Sequence, residues 1–508
     1  LFVLNNQITQ ECKVSFHRGA VMTFIKYDPD DDYEYGSDLS DLVEYLQRVA
    51  IDAYVVSKYG DGANRVSMTD QSYLIAFSTD TGQGGRLLQI KRPYMSGDGG
   101  GEILSDSAPP PLSEDDCSAE FEKVRKRLRG ILKPWLRLPS PARIEKEIDK
   151  WLDASREISS PTRTINAKLY GGANVDASIR QIGTWIGTMN GEVVGKVASF
   201  TSKLQGVIDS LCGEFLLWGG TLNSEKTMFE ETRRAVVKAI TEGIRMFELV
   251  SSQRPARMNV PLKVVSTAID GLMLFVSPEY GATKKVLEGA GITVKGIDSL
   301  IDEKIQPKTA STYDSAIKEF EAAFKRIDRS TEKSEKGVER VLYDNLGTMV
   351  KNRSAYDIQM DPMDSTNVDV DRGRPRELNV NNVTAENIAR AMCAVCGNLR
   401  NTVKKIPAVS MYSCVGRDEE VGIGDVGPSR AFDQFQFRLS ELIKNLADDV
   451  ENEAKNFQLA IAAITEQDAQ ARAQLDQTVE DIKRNPGDPW VVRGTDKRHQ
   501  PVKGNQIV

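Results

Sequence analysis

The sequence predicts a mainly α-helical chain built as a multi-unit set of antiparallel helical hairpins, with a small N-terminal α+β unit. Three observations carry this. Apolar side chains recur at steps of three and four over long stretches, the period of one helix face. Ala431 to Arg484 contains neither Gly nor Pro. The strand-like runs, Tyr73 to Phe77 and Leu87 to Ile90, both lie near the start of the chain.

At roughly 100–200 residues per domain, 508 residues imply about three to four units. Residues 1–21, ahead of Met22, read as a disordered or spurious lead. Residues 22–95 form the small α+β unit: an acidic opening around Asp28 to Glu34, a helix over 38–59 with Leu39, Leu42, Leu46, Val49 and Ala53 on one face, and the two strands across a turn at Gly82 to Gly85. Residues 96–116, rich in Gly, Pro, Ser and acid, read as a linker. Residues 117–172 hold basic amphipathic helices. In the first, Phe121, Val124, Leu128, Ile131 and Trp135 keep helical spacing, and Lys123, Arg125, Lys126, Arg127, Arg129 and Lys133 crowd between them. Such a helix docks on the chain's own acidic surface, or contacts an anionic membrane or phosphates.

Residues 173–356 form a helical bundle. Val193, Val197, Phe200, Leu204, Val207, Leu211 and Phe215 make one stripe, and Phe229, Val236, Ile240, Ile244 and Phe247 another. Trp218-Gly219-Gly220 between them reads as a turn that packs the two helices antiparallel. A further helix runs from Tyr313 through Phe320 and Ile327 to about Met349. Residues 357–382 read as a polar loop. Residues 383–484 form a long hairpin: a helix N-capped by Thr384, with Ile388, Met392, Val395, Leu399 and Val403 on its stripe, then a Gly-rich loop to Pro428. The helix that follows is about 80 Å long if straight, at roughly 1.5 Å per residue, and Thr465 is where it would break. Residues 485–508 read as a disordered basic tail.

The net charge of −7 speaks against bulk nucleic-acid binding. Only His17 and His499 occur, both in terminal segments, which argues against histidine-dependent triads and His-containing zinc sites. The six cysteines are sparse, so no disulfide framework is implied. Cys393-Ala-Val-Cys396 sits in a helical pattern, where free Cys packs as a small apolar residue. Gly422-Ile-Gly424-Asp-Val-Gly427 has the GxGxxG spacing, but acids precede it, Pro428 follows it and no βαβ pattern surrounds it. Asn367 to Gly373 resembles a calcium loop only superficially, because the glycine is one place late and Leu378 stands where the bidentate Glu belongs. The apolar run Leu262 to Val276 is short and carries Lys263 and Asp270, as a buried helix does. No catalytic residue, cofactor or metal site is assigned, and the reading is non-enzymatic.

The Trp218-Gly219-Gly220 triplet resembles the WxG turn of the ESX family, the small helical-hairpin substrates of type VII secretion; Trp185-Ile186-Gly187 carries the same triplet. The C-terminal block is similar to a second ESX-like type found in actinobacteria, through Gly427 to Phe435, Leu446 to Val450, Ala454 to Phe457 and Asp468 to Ala471. The two segments cover about 175 residues. The resemblance implies a protein–protein interaction role, with Trp218, Gly219 and Gly220 shaping one hairpin and Phe432, Phe435 and Phe457 anchoring the other. The partner would be a helical protein or a second copy. The family's export signal, a Tyr followed four residues later by an acid, is missing after both hairpins; Tyr27 and Asp31 show that spacing at the opposite end. The resemblance therefore implies either secretion without a Sec signal, aided by a partner that carries the signal, or retention in the cytoplasm. The alternatives from the residues alone are an intracellular coiled-coil scaffold, an export-linked toxin using carboxylates and a membrane-active protein.

Overall fold

The computed structural model describes residues 33–60, 65–77, 86–93, 101–103, 114–158, 174–188, 192–258, 309–352, 355–358, 382–406 and 410–484. The expected lead, the Gly82–Gly85 turn, the run Leu262–Val276, the Asn367–Gly373 motif and the basic tail lie outside these residues. The chain is mainly α-helical with a small N-terminal α+β unit, as the periodicity predicts.

Two compact units are present, each assembled from segments distant in sequence. The first takes residues 1–130, 236–260 and 307–323, and the second takes the rest. No division into consecutive segments anticipates this, because two long helices contribute to both units.

In the first unit, helix α1 (Leu39–Tyr59) buries Leu39, Leu42, Leu46, Val49 and Ala53, the stripe read from the sequence. An antiparallel meander follows: β1 (Arg65–Met68), β2 (Ser72–Phe77), β3 (Arg86–Lys91) and β4 (Gly101–Ile103). The register sets Tyr73 opposite Ile90 and Ile75 opposite Leu88, and all four are buried, so one face of the sheet is apolar. β1 and β4 escaped the sequence reading. β1 alternates between exposed and half-exposed residues with little apolar signal, and β4 sits inside the Gly-rich stretch read as linker. Buried Asp52 of α1 fixes the sheet: it accepts hydrogen bonds from Tyr73 Oη (2.6 Å) and Arg92 Nε (2.9 Å). Helix α2 (Glu114–Leu132) starts inside the expected linker and lays Phe121 against Tyr73, ring centroids 6.3 Å apart.

The second unit holds α3 (Pro141–Ile158), α4 (Asn174–Ile186), residues up to 235 of α5 (Glu192–Ser251), residues from 324 of α6 (Tyr313–Lys351), α7 (Asn382–Lys405), the short α8 (Tyr412–Val415) and α9 (Ser429–Arg484). The sequence misplaced two boundaries. α5 is a single helix of 60 residues, and Trp218, Gly219 and Gly220 lie buried within it, so the expected turn does not exist. Two helical glycines cost about 1 kcal/mol each relative to Ala. Burial of the surrounding residues, 211 to 222 without an exposed position, outweighs that. It is Trp185-Ile186-Gly187 that ends a helix: Thr188 N–H donates to Trp185 O at 3.1 Å. Thr384 is a buried interior residue of α7 and not its cap, because the helix already begins at Asn382. α9, by contrast, runs through Thr465 unbroken, and α6 matches its expected span.

Candidate interaction surface

α7 and α9 pack antiparallel. Arg400 Nη2 pairs with Asp448 (2.9 Å) and Glu451 (2.6 Å), while Ala385 near the other end of α7 lines a common groove with Phe457 and Ile461. Ile388, Met392, Val395 and Leu399 of α7 and Leu439, Leu442, Leu446 and Val450 of α9 are all buried. Phe432 and Phe435 are fully buried at the start of α9. Asp433 holds the entry to α9, accepting from Ser410 Oγ (2.6 Å) and Met411 N–H (2.9 Å).

Trp218 joins the same core from α5. It stacks on Trp151 of α3 with centroids 3.8 Å apart and meets Phe432 edge-on at 5.7 Å. Trp218 and Phe432, expected to serve two separate hairpins, therefore meet in one aromatic cluster.

Phe457 lies where the packing runs out. A groove of about 540 Å³ opens between the start of α7 and the middle of α9, lined by Ala385, Phe457, Ile461, Ala462, Thr465 and Ala469. Glu386 and Glu466 flank it. α9 then continues to Arg484, beyond the first residue of α7, and Leu475 is 62% exposed there. The exposed Leu475 side chain offers apolar area to another helix.

The basic residues of α2 and its neighbour take a different course. Lys123 pairs with Glu120 (2.6 Å), Arg129 with Glu122 (3.0 Å) and Arg127 with Glu321 (3.9 Å); Arg125 is buried and bonds Glu122. Lys126 and Lys133 are exposed. The apolar positions Phe121, Val124 and Leu128 are buried, so α2 docks within the fold and much of its charge is matched by acids. Hydrogen bonds from Lys123 and Tyr54 hold the Glu120 carboxyl down to about 2.

The sequence reading missed a set of buried polar residues. Glu214, Thr221, Glu225 and Thr232 follow Trp218 and Phe229 along one face of α5 at steps of three and four, and all are fully buried. Glu214 accepts from Tyr356 Oη, and burial pushes its carboxyl up to about 8. Glu225 faces Glu335 of α6 and Arg417 of the loop before α9; Glu335 and Arg417 form a fully buried ion pair. The available signal was carboxylates in register with an apolar stripe, which periodicity scoring treats as interruptions.

The GxGxxG run wraps this ion pair. Gly422 N–H donates to Asp328 Oδ1 (2.8 Å) and Ile423 N–H to Glu335 Oε2 (2.9 Å). Gly422 (φ +65°) and Gly427 (φ +51°) adopt the left-handed region, and a Cβ would stand 2.1 Å from Glu335 Oε2 or 2.3 Å from Arg417 Nη1. The glycines thus serve a buried carboxylate–guanidinium pair.

Comparisons with known protein families, with curated proteins and with solved structures find no match to this chain.

Cys396 is buried on α7 and Cys393 exposed one turn away. Among the described residues, no group of three or more His, Cys, Asp or Glu side chains is arranged to hold a metal ion, and no helix is long and apolar enough to cross a membrane.

Proposed function

We propose that this chain is a non-enzymatic helical interaction protein associated with type VII secretion, either a secreted substrate or the partner of one. The groove around Phe457 and Ile461, continuous with the exposed end of α9, is the observation that supports an interaction role. Its occupant is an amphipathic helix from a smaller hairpin protein. Apolar residues at helical spacing fill the groove, and basic flanking residues meet Glu386 and Glu466. The driving force is burial of apolar area at about 25 cal/mol per Å². The link to secretion rests on the ESX-like residues of the C-terminal block. Two measurements test the reading. Immunoblots of culture supernatant with and without the type VII secretion ATPase should show the chain outside the cell only when the ATPase is present; retention in both strains, with clean lysis controls, removes the secretion role. Ala469→Arg, at the exposed mouth of the groove, should abolish partner co-purification while leaving the melting transition unchanged.

The exposed stretch of α9 favours a second reading, an intracellular coiled-coil scaffold in which two copies pair through residues around Leu475. Mass in solution separates the two: a stable dimer or larger assembly of the isolated chain supports the scaffold, and a monomer supports the hetero-partner.

A further inference from the structure

Glu225 has no exposed surface, and neither of its carboxyl oxygens has a hydrogen-bond partner among the described residues. It is faced by Glu335 from α6 and by Arg417 from the loop 416–428, and Asp328 and Glu339 of α6 stand behind Glu335. Arg417 is fully committed: it pairs with Glu335, donates from Nε to Val421 O (3.1 Å) and from Nη1 to Val415 O (2.9 Å), and lies over the Phe229 ring at 5.4 Å. Two fully buried carboxyls thus share one guanidinium. A dry interior does not hold the surplus negative charge, so one carboxyl keeps its proton. Removing the proton restores like-charge repulsion beside the contacts that close the loop, the Gly422 and Ile423 N–H bonds to Asp328 and Glu335.

We propose that the loop 416–428 is a proton-dependent clasp, closed on α5 and α6 while the Glu225–Glu335 pair holds a proton and released when alkaline pH removes it. The loop leads directly into α9, so its release loosens the start of the helix that carries the groove. Burial raises both carboxyls above the ordinary range; charge repulsion from Glu335 raises Glu225 further, and repulsion from Asp328 and Glu339 raises Glu335. This inference is independent of the proposed function.

The test is hydrogen exchange of peptides spanning 416–428 in the full chain from pH 6 to 9.5, corrected for intrinsic rates. One coupled proton gives a loss of protection of about tenfold per pH unit once the pair titrates. Glu225→Gln removes the surplus charge and should keep protection flat with pH. Wild-type protection independent of pH, or the same loss in Glu225→Gln, overturns the proposal. If Glu225→Gln does not fold, infrared titration of Glu214→Gln decides. A protonated carboxylic acid band present at pH 7, vanishing in step with loop protection, supports the clasp; no such band at pH 7 refutes it.

Discussion

Trp218→Ala tests whether the second unit is held by one aromatic cluster. The indole is fully buried, stacked on Trp151 and edge-on to Phe432. A Trp side chain buries roughly 150 Å² more apolar area than Ala, worth about 4 kcal/mol at 25 cal/mol per Å². Stacking adds roughly 0.5–1.5 kcal/mol. Against this, Trp218 Nε1 has no hydrogen-bond partner among the described residues, and removing an unsatisfied buried N–H returns about 1–3 kcal/mol. The net expectation is a loss of about 3 kcal/mol. The assay is urea denaturation followed by tryptophan fluorescence. The four described tryptophans, Trp135, Trp151, Trp185 and Trp218, belong to the second unit, so their signal reports on that unit. Trp218→Phe should lose less, since it keeps a ring and discards the orphan donor. A shift below about 1 kcal/mol for Trp218→Ala, with an unchanged denaturant slope, would refute the cluster as the unit's anchor.

Other expectations follow from the same structure. Glu214 is protonated in the folded state up to about pH 8 but ionises near pH 4.3 when unfolded, so its contribution is complete below pH 4.3 and falls by about 1.4 kcal/mol per pH unit up to about 8. The urea midpoint of the second unit should therefore decline from pH 5 to 8, and Glu214→Gln should flatten the decline; a rising midpoint contradicts the assignment. Gly427→Ala drives a Cβ toward Arg417 in a left-handed conformation and should destabilise the second unit by about 2 kcal/mol or more, measured by the same fluorescence transition. Asp52→Ala removes the carboxylate that Arg92 Nε and the Tyr73 hydroxyl bond in the first unit; a loss of about 3 kcal/mol should appear as faster hydrogen exchange in β2 and β3 with the tryptophan transition unmoved.

Much of the fold is legible in the sequence, because helix stripes are a local property. The faces of α1, α6, α7 and α9 are fixed by apolar spacing that any partner must respect, and burial of Phe432, Phe435 and Phe457 follows from it. The weak strands β1 and β4 are not legible, since pairing with β2 and β3 supplies what their own residues lack. At Trp218 the local signal pointed the wrong way. Two glycines after a tryptophan suit a turn, yet the helix runs unbroken through them, packed against residues of α3 and α9 far away in the chain.

The sequence by itself determined a mainly helical chain with a small N-terminal sheet and a long C-terminal hairpin, because periodicity records which face of each element avoids water. Only the tertiary structure decided that α5 runs unbroken, that the GxGxxG loop encloses Arg417 and Glu335, and that Glu214 and Glu225 are buried in the core. The physical reason is that buried charge is tolerated only where distant segments supply its partners, and no local pattern specifies which segments will meet.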